Sequence, residues 1–262
     1  MTKKVKIKNA IAVHSGKGGV GKSTVSVSIA LRLKELGYNV GIADVDISGP
    51  SVPMIMDIDT QLSGNPEEGI IPSKTVDGIP VISIDLFLND RRTAILWKGE
   101  KKSTYIRDTL NDINWGTKDI DFLVLDLPPG NSNEPQAVIS YVQENKIPAG
   151  IVFVSTPQEV AIHDILKSIS MVKRFKFPVI GIVENMSSFI CDGCKKEHFI
   201  FGKGKVEKMS KEENIPYLGR IPLTPEISRV SDISLNLKTI PEEVKPYIAE
   251  ITSKVLKFYT EK

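Results

Sequence analysis

Residues 14–24 read HSGKGGVGKST, directly after a short apolar run, NAIAV (9–13), and directly before a segment whose apolar residues return at helical spacing. The string satisfies G-x-x-x-x-G-K-[ST] with Gly16, Gly21, Lys22 and Ser23. Few features limit a fold as tightly. Glycines let backbone N–H groups turn inward around phosphate oxygens, which side chains there would obstruct. A lysine neutralises β and γ oxygens, a hydroxyl joins a Mg²⁺ shell, and the following helix aims its positive end at the anion. That chemistry demands a strand, a tight loop and a helix in this order. The residues expected to touch a nucleotide are Gly16, Lys17, Gly18, Gly19, Val20, Gly21, Lys22, Ser23 and Thr24, with Ser23 also expected to ligate magnesium.

The rest of the chain repeats the theme. Apolar runs at 38–43, 79–84, 121–127, 149–154 and 177–183 alternate with stretches of period about 3.6. In 22–36, Val25, Ile29, Leu33 and Leu36 share one face, and Gly37 stops the helix. Runs apolar throughout predict strands buried on both faces. The fold class is therefore α/β, a doubly wound, mostly parallel sheet flanked by helices, in a single domain over 1–262. Ligands in such sheets bind beyond the carboxyl ends of the strands. Segment 57–78, rich in Gly, Pro, Asp and Glu, reads as a mobile loop. The last stretch places Val244, Ile248, Ile251, Val255 and Phe258 on the stripe of an amphipathic helix.

Two strand ends carry acids. GIADVDISGPS (41–51) puts Asp44 and Asp46 after the second strand, and DFLVLDLPPG (121–130) puts Asp126 after a later one. A carboxylate beside a phosphate loop can hold a Mg²⁺ water or orient an attacking one. Pro128, Pro129 and Gly130 stiffen and bend the loop that follows.

A net charge of +2 is too small to argue for nucleic acid or an anionic membrane as partner, and no apolar run approaches the length of a membrane span. The chain has two cysteines, Cys191 and Cys194, in SSFICDGCKKEHFIFG (187–202). They cannot form a disulfide framework, which favours a reducing, cytoplasmic setting. Their C-x-x-C spacing lets two thiolates grip one metal, yet zinc and the common iron–sulfur clusters want four protein ligands. His198 is a candidate third ligand. A structural zinc and a redox dithiol stay open on spacing alone.

With Lys17 directly after its first glycine, the loop resembles the deviant Walker A of the MinD/ParA/nitrogenase-iron-protein group. The resemblance implies that Lys17 reaches across a dimer to the partner's nucleotide, as an arginine finger does. It also implies that Asp46 is the switch I acid that positions water, that Asp126 is the Walker B and switch II acid, and that Asp44 supports the metal shell. Lys17, Lys22, Asp46 and Asp126 are then the catalytic set. Within that group the chain resembles the Mrp/ApbC family of ATP-dependent iron–sulfur cluster carriers, from about residue 9 to 240. The strings that carry the resemblance are SGKGGVGKST, DVDISGPSVP, LVLDLPPG, VSTPQEVAIHD, GIVENMS and FICDGC…IFG. It implies that Cys191 and Cys194 of each subunit in a homodimer hold one shared [4Fe-4S] cluster, which is passed to apoproteins, with ATP hydrolysis coupled to cluster loading or transfer. It further implies that Asn185 reads the adenine and that Pro222, in GRIPLTPEI, lies near the base.

Three departures from the family pattern stand out. PPGNSNEP replaces PPGTGD or PPGTSDE, so Asn133 takes an acid's place, and slow hydrolysis is expected. WKGE (97–100) replaces W-R-G-P, and the cysteine-bearing N-terminal extension of eukaryotic relatives is absent from this sequence. Competing readings are a MinD/ParA-like positioning ATPase with a structural zinc at its dimer interface, and a metabolic ATP-dependent enzyme of the dethiobiotin-synthetase kind. The second would leave CDGC unexplained.

Overall fold

The first apolar run becomes β1 (Ala10–Ser15), buried along its whole length, as are β2 (Val40–Asp44), β6 (Pro80–Ser83), β7 (Phe122–Asp126) and β8 (Ala149–Ser155). Strands with no solvent face need cover on both sides, and a parallel sheet between helix layers supplies it. The computed structural model describes residues 5–65, 67–88, 99–131, 133–191, 193–228 and 234–261. Among these, β5 (Ser73–Lys74), β9 (Val179–Ile190), β10 (Glu197–His198) and β11 (Tyr217–Leu223) complete the sheet. Its order is β10-β9-β8-β1-β7-β2-β6-β5, with β11 paired to β9. Only the β5–β6 and β9–β10 pairings are antiparallel. The doubly wound, mostly parallel sheet expected from the alternation is the one observed.

One face is covered by α1 (Lys22–Glu35), the short α2 (Val52–Ile55) and α8 (Lys245–Thr260). The other is covered by α3 (Gly99–Asp112), α4 (Glu134–Glu144), α5 (Glu159–Arg174) and α6 (Lys205–Glu212), while the four-residue α7 (Pro225–Ser228) follows β11. Val25, Ile29 and Leu33 of α1 are buried as their spacing predicts, and each such side chain contributes about 1.5–3 kcal/mol on leaving water. Leu36 departs from the stripe: it caps α1 and is 46% exposed. The C-terminal stripe faces inward, with Val244, Ile248, Ile251 and Val255 buried in the same core as α1 and Phe258 packed against it. Among the described residues no helix is long and apolar enough to cross a membrane.

Segment 57–78, whose composition suggests a mobile loop, contains short strands. β3 (Ser63–Asn65) and β4 (Gly69–Ile71) pair as a hairpin. The Asn65 side chain accepts from the N–H groups of Glu67 and Glu68 at 2.9 Å, which closes the turn. The hairpin is then tied down by Asn114 N–H donating to the Ile70 carbonyl at 2.8 Å. Turn-forming residues made a tight reversal here.

Candidate functional site

Register brings the acids to the phosphate loop. In the parallel pairing Asp126 lies beside Val13 of β1 on one side and Asp44 of β2 on the other. The loop leaving β1 turns through Gly19 and Gly21, both at positive φ (77° and 79°), a region glycine enters without strain. Gly16 is glycine for another reason: a Cβ there would run into the backbone of Asp164 and Ile165 in α5. Gly16→Ala is therefore expected to push the loop off α5 and weaken nucleotide binding by about tenfold or more, since one lost hydrogen bond to a charged phosphate costs about 1.5–3 kcal/mol and every 1.4 kcal/mol is tenfold. Titration calorimetry checks this.

The loop bounds an open cleft of about 560 Å³, lined by Gly18, Gly19, Gly21, Lys22, Ser23 and Thr24, with Asp46, Pro128 and Pro129 across from them. Lys22 is buried, and its Nζ lies 2.8 Å from Asp126 Oδ2 and 4.0 Å from Asp46 Oδ2. Burial pulls the Lys22 ammonium down, but the charges of Asp126 and Asp44 outweigh it and leave the group raised. Asp126 is fully buried and accepts from Ser23 Oγ (Oδ2, 2.6 Å) and Ser26 Oγ (Oδ1, 2.6 Å).

Asp44 and Asp46 differ in what they hold. Asp44 accepts from the N–H groups of Asp46, Ser51 and Val52 at 3.0–3.1 Å, so both its oxygens organise the turn and the start of α2. Burial, and then the charge of Asp126, push its carboxyl up to about 8. Asp46 accepts from Gly49 N–H at 3.1 Å through Oδ1, while Oδ2 faces Lys22. Burial raises its pKa, with Lys22 opposing and Asp126 adding. Beneath them His14 is fully buried, and burial followed by the charge of Lys22 holds its imidazole down at about 4, so it is neutral.

The remaining residues expected at the nucleotide sit around the loop rather than in the cleft wall. Lys17 Nζ donates to Gln158 Oε1 at 3.2 Å. Asn185 Nδ2 donates to the Val20 carbonyl at 2.8 Å, so one of its amide hydrogens braces the loop. Across β9 and β11, Asn185 stands opposite Ile221, which places Pro222 next in line, buried in an edge strand where a missing N–H is tolerated. Neither Asn185 nor Pro222 lines the cleft. The sequence did not single out Ser26, Ser48, Lys102 or Glu134, although the last three line it.

β9 runs on past Asn185 to Ile190 and hands the chain to Cys191. Cys191 and Cys194 lie in the turn that joins β9 to β10. Lys195 N–H donates to the Cys191 carbonyl at 2.8 Å and Cys191 N–H to the Lys196 carbonyl at 3.1 Å. Ser188 Oγ and Arg220 both bind Glu197 and fix the β10 side. Cys191 is half-buried, Cys194 is exposed, and they form no disulfide. Asp192, between them, and Trp97 and Lys98 of the WKGE string lie outside the described residues. Among the described residues no three Cys, His, Asp or Glu side chains gather where they could hold one metal ion, and His198 does not join the two cysteines.

Comparison with known proteins follows the same lines. The family model described as NUBPL iron-transfer P-loop NTPase matches residues 6–256. The chain belongs to that family. It is 43% identical to the iron-sulfur cluster carrier protein of Methanococcus maripaludis over 96% of this chain and 87% of that one. Its structure is similar to that of the nucleotide-binding protein of Archaeoglobus fulgidus in complex with ADP, with a TM-score of 0.76 and 34% identity over 92% of each chain. The cell division ATPase MinD of Pyrococcus furiosus matches with a TM-score of 0.67 at 18% identity, over 96% of this chain and all of that one, a likeness of fold alone. As a P-loop NTPase of this family, the chain has its phosphate loop where β1 meets α1.

Proposed function

We propose that the protein is an ATP-binding and ATP-hydrolysing iron–sulfur cluster carrier. In this reading it holds a [4Fe-4S] cluster at a homodimer interface through Cys191 and Cys194 of each subunit and passes it to apoproteins in the cytoplasm. One observation carries the reading. A phosphate cleft with an acid-paired lysine and a hairpin tip presenting two thiols stand on one fold, joined by a single strand, β9. The relatives named above support both halves. Two thiols per chain supply half the ligands of a cube, so a second copy is the simplest source of the rest.

In the cleft the residues divide the work. Lys22 is held on Asp126 until a triphosphate offers it a more highly charged partner; it then neutralises β and γ oxygens. Its departure leaves Ser23 and Asp126 as an all-oxygen pair 2.6 Å apart, and such donors suit Mg²⁺, which Ser23 would ligate directly and Asp126 through water. Bound there, Mg²⁺ would neutralise charge on the phosphates. Asp44 shapes the turn that carries Asp46 and is a structural support rather than a direct ligand. Asp46, steadied by Gly49, accepts a hydrogen from the attacking water and aims its oxygen at the γ-phosphorus. Lys17, resting on Gln158 within one chain, swings to the partner's nucleotide on dimerisation. Asn185 and Pro222 close on the base side. Asn133 is the residue before α4, where the family string has an acid, and Glu134 beside it brings a carboxylate to the cleft wall.

Asp46→Asn should bind Mg·ATP with affinity within about threefold of wild type and hydrolyse it about 10²-fold more slowly, the usual range for loss of a general base or water-orienting acid. A malachite-green phosphate assay beside calorimetry separates the two, and wild-type turnover would remove Asp46 from catalysis. The carrier reading is tested by anaerobic reconstitution of the full chain with iron and sulfide. Four irons and four sulfides per dimer are expected. One zinc per dimer that resists exchange would instead support a structural metal.

A further inference from the structure

The cleft holds a second lysine that the phosphate chemistry above leaves unused. Lys102 lies in the first turn of α3 with its side chain 16% exposed. Its Nζ donates to Ser48 Oγ at 2.6 Å and stands 3.1 Å from Glu134 Oε1. The three side chains all line the cleft, yet each comes from a different place. Ser48 lies two residues after Asp46 in the turn that follows β2. Glu134 is the first residue of α4, just beyond the Pro128-Pro129-Gly130 bend that follows Asp126. One ammonium thus bridges the two loops that flank the phosphate space.

The two contacts have different physical reasons. Glu134 is 3% exposed, and a carboxylate so buried needs an opposite charge, which Lys102 provides. Ser48 is exposed, and water would satisfy its hydroxyl equally well. Its bond to Lys102 adds little stability, but it fixes a position. Ser48 sits inside the turn closed by Gly49 N–H on Asp46 Oδ1, so whatever holds Ser48 holds the Asp46 carboxylate 4.0 Å from Lys22 Nζ. Lys102 has a firm base for this. Ile106 and Leu110 of α3 share a buried cluster with Val138 and Tyr141 of α4, and Tyr141 Oη donates to the Leu110 carbonyl at 3.3 Å.

We propose that Lys102 is a positioning residue for ATP hydrolysis: by bridging Ser48 and Glu134 it sets Asp46 against the phosphate loop. The inference rests on the ATPase reading above and adds a residue to it. The test is steady-state ATP hydrolysis by the full chain, with thermal melting of each variant. Lys102→Met should lower kcat by about 10–100-fold while KM for ATP moves by less than about threefold, because misplacing a catalytic group costs turnover and the loop with Lys22 still binds. Lys102→Arg should recover most of the loss, since a guanidinium can span a hydroxyl and a carboxylate together. Ser48→Ala should lower kcat in the same direction without shifting the melting temperature, and the Lys102→Met/Ser48→Ala pair should be no slower than Lys102→Met alone. Lys102→Met at wild-type kcat overturns the proposal, as do effects of the pair that simply multiply. If Lys102→Met does not fold, Ser48→Ala decides, and wild-type kcat there overturns it. A wild-type chain that does not hydrolyse ATP refutes the ATPase reading itself, and the inference with it, before any variant is compared.

Discussion

Lys22→Ala is expected to lose about 10²-fold or more in Mg·ATP affinity, because charge-assisted contacts to phosphate are worth about 1.5–3 kcal/mol each and every 1.4 kcal/mol is tenfold. The structure adds a second consequence. Lys22 is the cation among Asp44, Asp46 and Asp126, and its Nζ sits 2.8 Å from the fully buried Asp126. Removing one partner of a buried pair destabilises by about 3–5 kcal/mol, since the carboxylate must stay charged without a partner or take up a proton. Lys22→Ala should therefore melt at a lower temperature than wild type as well as bind poorly. Lys22→Ala/Asp126→Asn should regain much of the stability, because the uncompensated charge is gone, and regain none of the affinity. Calorimetry and melting curves on the two variants check both halves. Unchanged nucleotide affinity in Lys22→Ala would sink the phosphate role. A double variant no more stable than the single would mean that the ion pair is not what Lys22 contributes to the fold.

What the sequence disclosed follows from how local each signal is. The six apolar runs became six strands of one sheet because a strand buried on both faces writes itself as a continuous run. The phosphate loop and the three acids were legible because each follows directly on such a strand. Ser26 was not, since a serine one helical turn beyond Lys22 gives no sign that a carboxylate a hundred residues later will sit against it at 2.6 Å. Lys102 and Glu134 were hidden for the same reason: a helix lysine and a helix-start glutamate read as solvated charges until α3 and α4 pack. The hairpin at 63–71 reads as a loop in the sequence because β3 and β4 are three residues each, and composition cannot distinguish a tight reversal from an irregular one. Asn185 shows the limit from the other side. The resemblance points it at the adenine base, whereas its bond to the Val20 carbonyl, and so its place against the loop, came only with the fold.

Cys191→Ser and Cys194→Ser should each abolish the reconstituted cluster and leave Mg·ATP affinity within about twofold, a difference of about 0.4 kcal/mol. The first half is a count. A symmetric dimer donates its ligands in pairs, so one substitution removes two of four thiolates, and a site left with two does not hold a cube. The second half is structural. The turn at the tip is closed by main-chain bonds, Lys195 to Cys191 and Cys191 to Lys196, which a serine preserves, and Glu197 stays clamped by Ser188 and Arg220. The hairpin should keep its shape, β9 its register and Asn185 its hold on the loop, so nothing that reaches the phosphates changes. Cluster binding should also shift the wild-type chain toward dimer, because ligation by two subunits stabilises only the paired state. Iron and sulfide counts with light scattering under anaerobic conditions measure all of this. A four-iron cluster on a monomer, or one that survives either substitution, would refute the shared site. Loss of nucleotide affinity in the serine variants would show instead that the hairpin and the cleft are coupled through β9 even without a cluster.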